Sequence, residues 1–183
     1  MVEVARENGL RLHMDGARLM NAVVAAGVPA AEFTRGFDTA WLDFTKGLGA
    51  PLGACLAGSA ELIEEAWRYK QMLGGALRQA GIVAAGALYA LDHNVERLAV
   101  DHENARTLAL GLAEIDGVML EPANVETNIV IFEVADPQAV CAAIERDGVR
   151  MGAVSDRRIR AVTHLDVDAD GVQRAYEAVR NAL

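Results

Sequence analysis

Asp43-Phe44-Thr45-Lys46-Gly47-Leu48-Gly49-Ala50-Pro51 places a lysine at the mouth of a glycine loop, directly after the apolar stretch 39–45. Residues 39–45 read as a strand, 47–51 as a loop and 52–57 as a further strand. So short a turn lets the two strands run antiparallel. Upstream, Leu10, Leu12 and Met14 outline a short strand that ends in Asp15, within His13-Met14-Asp15-Gly16-Ala17-Arg18. Two strands thus end in reactive side chains, a carboxylate and an amine.

Outward from this centre, residues 2–8 read as the tail of a helix, with Gly9 as its stop. The pattern begins inside a helix and lacks the strand that would open a βαβ unit. Residues 17–26 and 61–72 read as helices, the second amphipathic and broken by Gly74-Gly75. The stretch 79–91 is apolar all round, which predicts a helix buried on every side. A further helix covers 94–115. After Asp116-Gly117, strand-like segments at 118–120, 128–134, 149–151 and 159–163 alternate with helices near 137–146 and 171–182. The expected organisation is a partial α/β large domain over 1–95 and a small α+β domain over 96–183.

The 183 residues are 52% hydrophobic, enough for a large core and high enough to suggest that some apolar surface meets another chain. A net charge of −9 with no basic cluster argues against a nucleic-acid partner. Cys55 and Cys141 form no CxxC pair and read as buried small hydrophobes of a reducing compartment. No secretory leader opens the sequence, and the longest apolar run is too short to span a bilayer. The expectation is a cytoplasmic protein with no membrane partner.

Several motifs carry competing readings. The glycines follow Lys46, whereas a P-loop places them before the lysine, so that phosphate motif fails. A lysine in a glycine loop is ordinarily a solvated residue, and Asp15 could simply cap the next helix. Taken together they have another meaning. An amine that forms a Schiff base and a carboxylate that keeps a pyridine nitrogen protonated are what pyridoxal phosphate (PLP) requires. Arg18 could orient that carboxylate or reach an anion. Arg78, after Gly74-Gly75-Ala76-Leu77 and ahead of a helix, and Arg160, in a strand, are anion-binding candidates. Arg158 shares a face with Arg160, so one can be solvated and the other functional. Asp166, Asp168, Asp170, Gly171 and Glu177 match the EF-hand calcium pattern in full. A strand-like segment precedes them where an EF-hand needs a helix, so the expectation is an acidic turn capping the last helix, with no metal. His13 and Asp15 lack a third metal ligand.

Four runs, in order, strongly resemble the low-specificity L-threonine aldolases. They are Leu12-His13-Met14-Asp15-Gly16-Ala17-Arg18-Leu19-Met20-Asn21-Ala22, Thr45-Lys46-Gly47-Leu48-Gly49-Ala50-Pro51-Leu52-Gly53, Gly74-Gly75-Ala76-Leu77-Arg78-Gln79-Ala80-Gly81 and Arg160-Ala161-Val162-Thr163-His164-Leu165-Asp166-Val167. These enzymes form part of the β-eliminating lyase group of fold-type I, aspartate aminotransferase-like PLP enzymes. The resemblance implies a C–C lyase that cleaves L-threonine and L-allo-threonine to glycine and an aldehyde. It implies that Lys46 is the Schiff-base lysine, that Asp15 pairs with the pyridine nitrogen, that Arg18 and Thr45 support the cofactor, and that Arg160 holds the substrate carboxylate. Arg78 resembles a family arginine that acts at the active site of the oligomer. His13 and His164 are the candidates for the base.

Three departures stand out. Thr45 replaces the usual serine, Ala76-Leu77 replaces Gly-Met, and Gln71 stands where a lysine is usual, with Lys70 one position off. Family members are also much longer, and this sequence matches only their C-terminal part. Their N-terminal half supplies the glycine-rich phosphate cup, a ring-stacking histidine and further strands. The expected partners are therefore a copy of the chain, in a dimer or tetramer, or a complementing N-terminal half. A catalytically silent fragment, or another PLP reaction such as β-elimination or transamination, stays open beside the aldolase.

Overall fold

The computed structural model describes residues 1–183, which divide into two compact units, Met1–Glu96 and Arg97–Leu183. The first unit contains α1 (Val2–Glu7), β1 (His13–Gly16), α2 (Leu19–Ala26), α3 (Ala30–Thr34), β2 (Thr39–Asp43), β3 (Ala54–Gly58), α4 (Ala60–Met72) and α5 (Gly81–His93). Its sheet has the order β1-β2-β3, with β1 parallel to β2 and β3 antiparallel to β2. The crossover from β1 to β2 runs through α2 and α3, as a parallel pair requires. Gly27, at φ 64°, ends α2 in the left-handed conformation that glycine adopts without steric cost. Ser59 starts α4 by accepting a hydrogen bond from the Leu62 N–H.

Gly16 fixes the closeness of β1 and β2. A Cβ at this position would lie 1.9 Å from the carbonyl oxygen of Trp41. Gly16→Ala therefore forces the two strands apart at the end that carries Asp15. We expect a loss of about 1–3 kcal/mol or more, the range for overpacked interiors, read from urea unfolding. A midpoint equal to that of the parent would contradict so close an approach.

The second unit contains α6 (Leu98–Ala113), a 3-10 turn (Pro122–Asn124), β4 (Ile129–Glu133), α7 (Pro137–Arg146), β5 (Gly152–Ala153), β6 (Arg158–Val162) and α8 (Ala169–Ala182). Its antiparallel sheet has the order β4-β6-β5. Alternation puts Val130, Phe132, Ile159 and Ala161 on one face, where they are buried with Leu108, Leu112, Ile144 and Val179 of the helices. Phe132 lies opposite Ile159, and Val130 opposite Ala161, so the core is stitched by cross-strand pairs. The other face carries Ile131, Arg158 and Arg160, all exposed.

Several expectations need correction. Helix α5 is not buried on every side: Ile82 is 80% exposed, and Leu88 and Tyr89 are also exposed, while Ala87 and Ala90 are buried. An apolar helix reports that some surface covers it, not that the same unit supplies that surface. Cys55 is exposed on β3, and Cys141 is half-buried, where burial pushes its thiol upward. Residues 149–151 are not a strand: Val149 and Met151 pack against the core, and the ladder falls on Gly152–Ala153 instead. Segment 118–120 contributes only a bridge between Met119 and Glu133. The short α3 was not anticipated.

Candidate functional site

Parallel pairing sets Asp15 beside Trp41 and His13 beside Thr39. Residues in register on neighbouring strands present their side chains to the same face, and every second residue returns to it. Asp15, Trp41 and Asp43 therefore share one face at the end of the sheet. Lys46 turns back onto the same face. Its Nζ lies 5.5 Å from the centre of the Trp41 ring and 3.1 Å from Asp43 Oδ2. Asp15 is thus in register with the residue whose ring lies beneath the Lys46 amine.

The loop that carries Lys46 is held at several points. The Phe44 N–H donates to the Gly53 carbonyl and the Ala50 N–H to the Phe44 carbonyl, which closes the turn between β2 and β3. Leu48 and Ala50 are buried. The Asn94 side chain donates to the Leu48 carbonyl at 2.7 Å, tying the loop to the end of α5. Gly86 of α5 faces Pro51, and a Cβ there would meet the proline ring at 3.0 Å.

Asp43 is the residue that sequence reading missed. Its side chain is 7% exposed, and three groups converge on it. The Thr45 hydroxyl donates to Oδ1 at 2.8 Å and lies 3.0 Å from Oδ2, the Thr45 N–H reaches Oδ1 at 3.2 Å, and Lys46 Nζ reaches Oδ2. Burial pushes the carboxyl upward, but the hydrogen bonds from Thr45 and Lys46 outweigh it, so the group titrates below the usual carboxylate range. The stabilisation is therefore present above the ordinary carboxylate value and is lost as pH falls through the depressed one. The signal was in the sequence as Asp-x-Thr-Lys, in which an aspartate bonds its own backbone two residues on.

The other candidates sit as follows. Asp15 does not cap α2; its Oδ1 accepts from the Ala17 N–H at 3.0 Å, and Arg18 occupies the cap position. Arg78 is exposed on the turn ahead of α5, which begins at Gly81 rather than at 79. In the second unit, Arg158 Nε is committed to Glu133 at 2.8 Å, whereas Arg160 stands exposed on the central strand, opposite Ile131 and Gly152. Of the two arginines on this face, Arg160 is thus the one left for an anion. His13 Nδ1 is engaged with the Thr39 hydroxyl at 2.8 Å, and His164 Nδ1 accepts from the Asp166 N–H, so neither candidate base presents that nitrogen. Asp168 caps α8 by accepting from the Gly171 N–H at 2.7 Å, and strand β6 precedes it. No helix is long and apolar enough to cross a membrane.

Comparison with known proteins bears on the family and the fold. Low-specificity L-threonine aldolase 1 of Arabidopsis thaliana is 36% identical over 186 residues, covering 99% of this chain and 52% of its own length. The low specificity L-threonine aldolase of Escherichia coli K12 is 38% identical over 168 residues, 92% of this chain and 50% of its own. The chain spans about half the length of the curated relatives it matches. A PLP-dependent aminotransferase from Streptococcus suis superposes with a TM-score of 0.75 at 18% identity, over 100% of this chain and 50% of that one. At that identity it speaks for the fold alone, which is that of the C-terminal part of a fold-type I enzyme. Residues 1–136 match the beta-eliminating lyase family, and the chain belongs to that family.

Proposed function

We propose that this chain carries the lysine-bearing half of a PLP-dependent aldolase that cleaves L-threonine and L-allo-threonine to glycine and an aldehyde. The observation that supports it is the shared sheet face, where Asp15 is in register with Trp41 and the Lys46 amine lies over the Trp41 ring. The donor set fits PLP: an amine for its aldehyde, and a carboxylate for its ring nitrogen. When bound, that group supplies the sink for the electron pair released as the Cα–Cβ bond breaks.

The residues of this chain have the following parts. Lys46 provides the covalent anchor, and Asp15 the counter-charge that keeps the ring nitrogen protonated. Arg18 and Thr45 belong to the cofactor's surroundings, and Arg78 to the site in the assembled oligomer. Arg160 presents a planar fork of donors suited to an amino-acid carboxylate. Glu133 occupies its neighbour Arg158, which leaves Arg160 available. No base is assigned: Nδ1 of each histidine is engaged, and Nε2 is the nitrogen left to either ring.

The assay is acetaldehyde and glycine release from L-threonine by purified protein with PLP. Arg160→Lys retains charge but loses the fork, and we expect a KM for threonine raised about 10-fold or more with a smaller change in kcat. An unchanged KM would remove Arg160 from the substrate site.

A second reading has its own support. All five residues of β3 are exposed at the sheet edge, and Leu73, Ile82 and Leu88 are exposed on the α4–α5 segment of the same unit. Such surfaces favour covering by another chain. On this reading the chain is silent alone and acts with a complementing chain, an N-terminal half that completes the sheet. Activity that appears only on co-expression with such a half would select it.

A further inference from the structure

The geometry points to Asp43 as the positioning residue of Lys46, a buried carboxylate that pairs with the amine and aims it on the face shared with Asp15. This rests on the aldolase reading for its purpose but not for its chemistry. Asp43 is nearly solvent-free, while the Lys46 side chain is 39% exposed. A flexible lysine beside water has many rotamers, and a fixed buried acceptor selects among them. Thr45 directs that acceptor with two donors of its own, so the carboxylate cannot swing to follow the amine. Trp41 limits the amine from another side through its ring. Asp43 and Asp15 are the carboxylates on this face, and Asp43 is the one in contact.

An ammonium is not a nucleophile. The pair aims Lys46, and the proton must leave before the amine can attack a carbonyl. Asp43 touches neither cofactor nor substrate in this account; it acts through Lys46.

The chain has only two lysines, Lys46 and Lys70, which makes the idea directly measurable. Lys70 lies on α4 with its amine near the Trp67 ring and serves as an internal reference. The experiment is brief acylation of the folded protein with acetic anhydride, followed by the Lys46-to-Lys70 labelling ratio by mass spectrometry. At neutral pH we expect the ratio to rise about 3- to 10-fold in Asp43→Asn, and to return towards the parent value in Asp43→Glu. At about pH 11 the difference between parent and Asp43→Asn should shrink, because a contact that depends on charge weakens as base neutralises ammonium groups. A purely structural role would instead raise the ratio equally at both pH values, and that result overturns the proposal. So does an unchanged ratio at neutral pH. Should Asp43→Asn fail to fold, Thr45→Val keeps the charge and loosens the carboxylate; a smaller rise in the ratio supports the proposal, and no rise overturns it.

No cofactor takes part in this labelling. Failure of Lys46 to form a borohydride-trapped adduct with PLP would count against the aldolase reading and leave the Asp43 result standing. An unchanged labelling ratio does the reverse.

Discussion

Lys46→Ala is expected to abolish the borohydride-trapped PLP adduct on the peptide containing position 46, together with the visible absorbance band of the lysine-bound cofactor. Threonine cleavage should fall on the order of 10³-fold or more, about 4 kcal/mol of transition-state stabilisation at 1.36 kcal/mol per tenfold. The other lysine, Lys70, sits on an exposed helix face and supplies the background against which the loss is read. The substitution also leaves the buried Asp43 carboxylate to Thr45 alone, so urea unfolding of the variant is measured beside the adduct. An absorbance band that survives the substitution would refute the assignment of Lys46 as the anchor. Where the parent chain is silent alone, the adduct remains the readout and the turnover comparison moves to the complemented enzyme.

Phe132→Ala should be the most damaging single change to the second unit. The ring is fully buried at the centre of the core, opposite Ile159 and among side chains of the helices. Truncation of such a phenylalanine costs about 3–5 kcal/mol, from lost transfer energy and the cavity left behind. Against a typical total of about 5–15 kcal/mol, that is enough to leave the unit barely folded. Trp41 and Trp67 both lie in the first unit, so tryptophan fluorescence is the wrong probe. Hydrogen exchange at β4 and β6 is the right one, and parent-like protection there would contradict the packing described.

The difference between what was legible in the sequence and what was not follows the range of each interaction. The β2–loop–β3 reversal was readable because it is local: alternation, Lys46, then Gly47 and Gly49. Asp15 and Lys46 drew attention as candidates because both follow apolar stretches and sit in motifs that resemble a known family. The exposure of α5 was not, since the composition of a helix is silent about who supplies its cover. Residues 149–151 misled because Val149 and Met151 are apolar for packing, while hydrogen bonding to Arg160 and Ile159 chooses the next two residues. The short α3 has too few turns to display a period. Asp43 was passed over because it falls inside the stretch 39–45 that reads as a strand, although the i, i+3 spacing to Lys46 was in plain view.

The turn between β2 and β3 closes on itself through the Phe44 and Gly53 backbone. Its shape rests on these bonds and on α5, which ties the loop through Asn94, and does not wait on whatever joins the open edges of the sheet. The reactive amine is a portable handle: its bearing is inherited from a hairpin and the helix that braces it, so assembly can recruit the handle without having to build it.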